Sequence, residues 1–185
     1  CTLTLLSPSP EKLQAMRKAW ARDIKAFKPG DLDAAWSALA SQKKYLPNKT
    51  LLGSSAEIDV ALARQAKPDS AAANGASIAL LLEYAGLSLL LLADAHADVV
   101  CASIRRLLSE RGLQRLRVDA VKVAHHGSKA NINDELLSLI ESPHFLISTN
   151  GDIFGHPDEE AIQRIIARSW HRPPTLHFNY RTTFN

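Results

Sequence analysis

Four positions carry side chains that could do chemistry together: Asp94, the adjacent pair His125 and His126, and His156. Asp94 follows the run Leu87 to Ala93, which contains hardly a polar atom. A carboxylate starting from so desolvated a place costs several kcal/mol if unpaired, so it needs a cation or a strong hydrogen-bond network. A plainer role is as the N-cap of the helix that follows within a few residues, worth about 1 kcal/mol with no metal involved. The residue pattern leaves both open.

His125 and His126 end a second apolar stretch and are followed by Gly127 and Ser128. Imidazole is a good ligand for zinc and manganese, and a glycine lets backbone approach a bound group closely. On an extended backbone the two rings would point to opposite faces, so one would ligate a metal and the other would stand behind it or face a substrate. His156 precedes Pro157, Asp158, Glu159 and Glu160, the composition of a helix start. The positive end of that helix would keep the ring neutral, fit to accept a proton or a metal, while nearby amides could hold a phosphate oxygen. A simple cap is the alternative. Ser128, Lys129, Asn150 and His156 are the candidates for touching substrate. His96, just past Asp94, is a weaker candidate for the same site, and His144, His171 and His177 have no comparable setting.

These positions need a scaffold that brings chain-distant segments to one place. After the strand-like run Thr2 to Leu6, Ser9 and Pro10 announce a helix. Its apolar residues Leu13, Met16, Trp20, Ile24 and Phe27 recur every three or four positions, with Lys12, Arg17, Lys18, Arg22 and Lys25 on other faces. The basic face could meet phosphates or merely water. Pro29 and Gly30 break the pattern, and Leu32, Trp36 and Leu39 outline a second, shorter amphipathic helix ending at Lys43 and Lys44. Residues 45–76 are the least readable, with a short helix expected at Ile58 to Ala66.

From Ile78 the chain reads as a hairpin, Ile78 to Tyr84 and Leu87 to Ala93 about Ala85 and Gly86, with strands apolar enough to be covered on both faces. It then alternates: a helix from about Asp98 to Arg111, a strand Asp119 to Ala124, a helix from about Asn133 to Ile140, a strand Phe145 to Thr149, and a helix from about Pro157 to Trp170. A final extended run covers Thr175 to Phe178. Such alternation predicts an α+β fold built in α/β-type layers. If the strands run alike, the ends carrying Asp94 and His96, then His125, His126 and Ser128, then Ser148, Asn150, Asp152 and His156 share one rim of the sheet.

At 185 residues the chain has the length of one domain or part of a larger one. With 46% apolar and 22% charged residues it has ordinary globular composition, and no apolar stretch is long enough to span a bilayer. A net charge of +3 permits a polyanionic partner without demanding one. The two cysteines, Cys1 and Cys101, lie in no zinc-finger spacing and fit a reducing cytoplasm. There is no GxSxG elbow to support a serine hydrolase.

Three segments together resemble the second half of the metallo-β-lactamase superfamily, in particular the nuclease-like domain of bacterial competence DNA-uptake proteins. They are NGASIALLLEYAGLSLLLLADAHAD, VDAVKVAHHGSKA and LISTNGDIFGHPDEEAI, spanning Asn74 to about Glu160. The resemblance implies a four-layer αββα sandwich, of which residues 1–185 would be the C-terminal portion of a single domain. It implies two divalent metal ions, zinc or manganese, bridged by Asp94 and a hydroxide that attacks the substrate. One of His125 and His126 would be the terminal metal ligand, with His126, next to the glycine, favoured; His156 would lie on the substrate side as a catalytic group. Ala93 stands where that family typically has glycine.

The family's HxHxDH motif, which supplies most of the ligands, is not among these residues. The expected partner is therefore an upstream, N-terminal half of the same protein carrying that motif. The activity implied is that of a phosphodiesterase or nuclease acting on nucleic acid. The alternatives are hydrolysis of a small ester, lactone or thioester, which would call for an apolar pocket, and a degenerate fold serving as a binding module.

Overall fold

The computed structural model describes residues 1–26, 30–34, 37, 66–151, 155–168 and 173–180. The second amphipathic helix through Trp36 and Leu39 and the helix from Ile58 fall outside that set, as do Asp152, Trp170 and His171. The described elements are β1 (Thr2–Ser7), α1 (Pro10–Asp23), a helical turn α2 (Ala72–Gly75), β2 (Ala79–Tyr84), β3 (Leu87–Leu91), α3 (Ala97–Arg111), β4 (Leu116–Arg117) and β5 (Ala120–Lys122). They continue with α4 (Asp134–Leu139), β6 (Ile140–Glu141), β7 (His144–Ile147), α5 (Glu159–Ala167) and β8 (Thr175–Phe178). The class is mixed α and β, with helices layered on a mixed sheet.

Among the described residues the main sheet has six strands in the order β1-β2-β3-β5-β7-β8. The first three are antiparallel neighbours, while β3, β5, β7 and β8 run parallel. The hairpin turn is Ala85–Gly86, both with positive φ, the geometry that a two-residue connection between twisted strands requires. Each parallel connection then carries a helix, α3, α4 or α5, because a parallel neighbour cannot be reached by a tight turn. A small parallel pair, β4 with β6, lies outside the main sheet; two residues apiece left no periodicity to read.

Register explains the core. Leu81, Leu90, Val121 and Phe145 lie side by side across four strands, and all are buried. The helices supply the opposing surface with Val100, Ile104, Leu108, Leu136, Leu137 and Ile165. Each such side chain contributes roughly 1.5–3 kcal/mol on leaving water.

The other face differs from what the sequence led us to expect. Leu5, Leu80, Leu91, Lys122 and Leu146 form one cross-strand row, and Leu3, Leu82, Leu89 and Ala120 another. None of these residues is fully buried, and Leu3 and Leu5 are 59% and 53% exposed. Among the described residues this face is therefore only partly covered: the hairpin's own Leu80, Leu82, Leu89 and Leu91 are half-buried, short of the full cover on both sides expected of them. Unbroken apolar sequence shows that both faces are greasy, not that both are covered.

Helix α1 starts as its sequence requires: the Ser9 hydroxyl accepts a hydrogen bond from the Lys12 amide, with Pro10 in the first turn. Its apolar stripe, however, buries no residue, and Leu13, Trp20 and Ile24 are largely exposed. Of its basic residues, Lys12 is engaged within the protein by His96 Nδ1 at 3.0 Å and Asp98 at 3.2 Å.

Candidate functional site at the C-terminal rim of the parallel strands

Because β3, β5 and β7 are parallel neighbours, the turns carrying Asp94, His125, His126 and Ser148 all leave the sheet at the same rim. Asp94 sits in the turn between β3 and α3, half-exposed. It is not a helix cap, because that position belongs to His96, so the plainer reading of Asp94 fails. Its neighbour Ala93 has φ +47°, the left-handed region that L residues enter at a cost. An Ala93→Gly variant is expected to gain about 0.5–1 kcal/mol of stability, the relief of strain less the extra entropy of glycine, read from denaturant midpoints.

His125 and His126 depart from the extended backbone expected of them. β5 stops at Lys122, and Ala124–Gly127 form a tight turn in which His125 and His126 have φ of +41° and +56°. The premise that the rings face opposite sides of a strand is therefore corrected. They stand 6.1 Å apart between centroids, and His125 is 5.3 Å from the ring of His156. The His125 amide donates to the Ala93 carbonyl at 2.7 Å, which ties this turn to the Asp94 turn. His126 is exposed, and its Nδ1 meets the carbonyl of Ser148 at the end of β7. A carbonyl can only accept, so that nitrogen carries the proton and Nε2 is left with the lone pair, the arrangement a ligating histidine uses.

His156 arrives from the far side. It is not the cap of α5, a position held by Asp158. Its ring is mostly buried, with Nδ1 3.7 Å from the Asp158 carboxylate. What brings it to the pair is a close backbone approach at Gly127, whose φ is +90° and whose carbonyl accepts from the Asp158 amide at 3.0 Å. A Cβ on Gly127 would sit 2.6 Å from Pro157 Cβ.

The remaining candidates occupy the same neighbourhood in different ways. Ser128 is buried, and its hydroxyl accepts from the Ala130 amide at 3.3 Å. Lys129 donates through its amide to Asp158 and through its ammonium to Glu160, both at 2.8 Å. Asn150 is exposed beyond β7. His96 is buried, with Nε2 on the Ala71 carbonyl and Nδ1 on Lys12, a place within the scaffold. His144 and His177 pair with each other at 3.1 Å across β7 and β8.

Burial by itself would raise the Asp158 carboxyl, but the adjacent His156 ring, the hydrogen bond from the Lys129 amide and the Lys129 charge outweigh it and hold it below the usual carboxylate range. Glu160 behaves likewise, burial being overcome chiefly by Lys129. Acids lowered in the folded state add stability above their unfolded pKa and lose it as pH falls through the folded value. The melting temperature is therefore expected to drop below about pH 4, and an Asp158→Asn variant to show a shallower acid limb.

Three further residues at the rim were not among the candidates read from the sequence. Asp69 lies within 3.5 Å of His125 Nδ1 and 3.8 Å of His96 Nε2. Asn131, fully buried, joins Asp69, the Asp94 turn and His125. Lys122 projects from the partly covered face, half-buried, where desolvation lowers its pKa against the opposing pull of Asp94. Only the Val121-Lys122-Val123 alternation hinted that this lysine turns away from the core. A cleft of about 500 Å3 is bordered by the acids Asp69, Asp98, Asp134 and Glu135, by His96, Lys129 and Arg164, and by Ala66, Pro68, Ala97 and Ala130.

The donor chemistry on the rim suits a divalent metal, two imidazoles and a carboxylate. Among the described residues, though, no three His, Cys, Asp or Glu side chains are placed to hold one. The chain's own described donors do not make up a shell. No described helix is long and apolar enough to cross a membrane. Compared with family models, curated proteins and solved structures, the chain matches none.

Proposed function

We propose that this chain is the C-terminal portion of a metallo-β-lactamase-type αββα domain and serves a metal-dependent hydrolase, a phosphodiesterase or nuclease. An upstream segment with the HxHxDH motif would supply the remaining ligands for two zinc or manganese ions. The observation that carries the reading is the meeting, at one sheet rim, of the Asp94 turn with three imidazoles, those of His126 and His156 lying 6.1 and 5.3 Å from that of His125. His125 and His126 are neighbours on one turn and His156 is brought to them by the Gly127–Asp158 backbone contact, at the carboxyl ends of the parallel strands, where sites in such sheets lie.

One further feature supports it: the partly exposed leucine face is what a second sheet layer would cover, since stacked sheets meet through such faces. The incomplete donor set favours one rival, a degenerate binding module that never holds metal. The test is to express the chain with its upstream segment, measure bound zinc and manganese, and assay cleavage of DNA, RNA and a small phosphodiester. Metal-dependent cleavage supports the proposal; a full-length protein that binds neither metal and cleaves nothing overturns it in favour of the binding module.

A further inference from the structure

We propose that Asn131 and Asp69 lock His125 as the Nδ1–H tautomer, which makes Nε2 its lone-pair nitrogen, and that the two are positioning residues for the site. The assignment of a site at the rim rests on the hydrolase reading; the tautomer itself does not.

The side-chain amide of Asn131 has only one orientation open to it. Its nitrogen faces three oxygens, donating to Asp69 Oδ2 at 3.1 Å and Ala95 O at 3.2 Å, with Asp94 O at 3.4 Å. Turning the amide over would set its oxygen against those three acceptors in a residue that is fully buried, a loss of hydrogen bonds that buried polar groups rarely sustain. The atom left toward His125 is therefore Oδ1, 3.1 Å from Nδ1.

Asp69 stands against the same nitrogen. Its carboxylate is held by the Ala71 amide at 2.9 Å, Asn74 Nδ2 at 2.8 Å and Asn131 Nδ2, and Oδ2 lies 3.5 Å from His125 Nδ1. Two acceptor oxygens at one ring nitrogen require a proton on it. Asn74 Nδ2 also lies 3.4 Å from Nδ1, but it makes its shorter bond to Asp69. His96 shows the reverse arrangement. There Nε2 meets a carbonyl and Nδ1 meets an ammonium, so the proton sits on the opposite nitrogen. The same carboxylate thus lies between two imidazoles of opposite tautomer.

Asn131 also holds the Asp94 turn by its backbone, so one buried amide sets both the ring of His125 and the path of the chain at Asp94. The experiment is a long-range proton–nitrogen NMR correlation on this chain at about pH 8, where an ordinary histidine is neutral. The His125 signals are assigned by their loss in His125→Gln. The expected spectrum shows the proton on Nδ1 of His125 and on Nε2 of His96. Asp69→Asn and Asn131→Ala are each expected to convert His125 to a tautomer mixture while His126 keeps its own pattern.

A wild-type His125 protonated on Nε2 overturns the inference, as does an unchanged His125 pattern in both variants. In the completed protein Asp69→Asn should lower activity or metal affinity about 10–100-fold, the usual effect of losing an outer partner. A locked tautomer in a protein that neither binds metal nor hydrolyses would keep this inference and defeat the hydrolase reading, so the two fail separately.

Discussion

On the proposed hydrolase reading, replacing Asp94 with alanine in the chain joined to its proposed upstream segment is expected to lower hydrolysis about a thousandfold, on the order of 4 kcal/mol of transition-state stabilisation, while folding stability moves by less than about 0.5 kcal/mol. The two halves of that expectation have different sources. The carboxylate is half-exposed in a turn, does not cap α3, and lies outside the apolar rows of the core. Removing it opens no cavity, and surface substitutions away from packing features are nearly neutral. Its proposed task is instead to bridge cations, and a lost bridging charge is felt where charge develops during reaction. Metal content by mass spectrometry, turnover and the denaturant midpoint would be measured on the same preparation. Retained turnover and metal content would remove Asp94 from the site; a large fall in stability would mean that the turn itself depends on it.

The second large effect is expected at Gly127. Alanine there must take φ near +90° and place its Cβ 2.6 Å from Pro157 Cβ and 3.2 Å from Pro157 Cα. Neither contact is the far end of a flexible side chain, so backbone must move. Overpacking costs about 1–3 kcal/mol and the left-handed backbone another 1–2, so a destabilisation of roughly 3 kcal/mol is expected, seen as a clear fall in melting temperature. The movement has a definite direction. The segment of His156 and Pro157 is pushed off the turn of His125 and His126, the Gly127–Asp158 backbone bond is lost, and the two rings now 5.3 Å apart separate. Activity should fall with stability, unlike the Asp94 case. Gly86 has φ +82° and nothing within 4 Å of the methyl that alanine would add. It is the control: alanine there should cost only the strain of its backbone angle.

The alternation of apolar runs with helical periodicity was enough to foresee the layers, the hairpin about Ala85 and Gly86, and the common rim of three strand ends. What periodicity could not show was whether each apolar surface finds a partner. The stripe of α1 and the leucine rows of β1 to β3 read as core, yet Leu13, Trp20, Leu3 and Leu5 stay exposed. Asp94, His125, His126 and His156 stood out as candidates because ligand-type residues just past apolar runs or before a helix start are conspicuous. Asp69 and Asn131 were not, since Asp69 stands among Ala, Lys, Pro and Ser and Asn131 among Ser, Lys, Ala, Asn and Asp, loop compositions like any other. Their roles come from contacts 62 residues apart in the chain. Nor could the backbone of His125 and His126 be foreseen, because extended or helical angles are the default for any residue but glycine.

Ala93, His125 and His126 all sit with positive φ within one rim. At about 1–2 kcal/mol apiece they hold roughly 3–6 kcal/mol of conformational energy, comparable with the whole net stability of many small domains. The rim is thus kept in shape by surplus cohesion elsewhere, in the leucine and valine rows beneath the helices. Substitutions that only thin that distant packing would be felt first at the histidines, so an inventory of inactivating changes should map to the interior as readily as to the site.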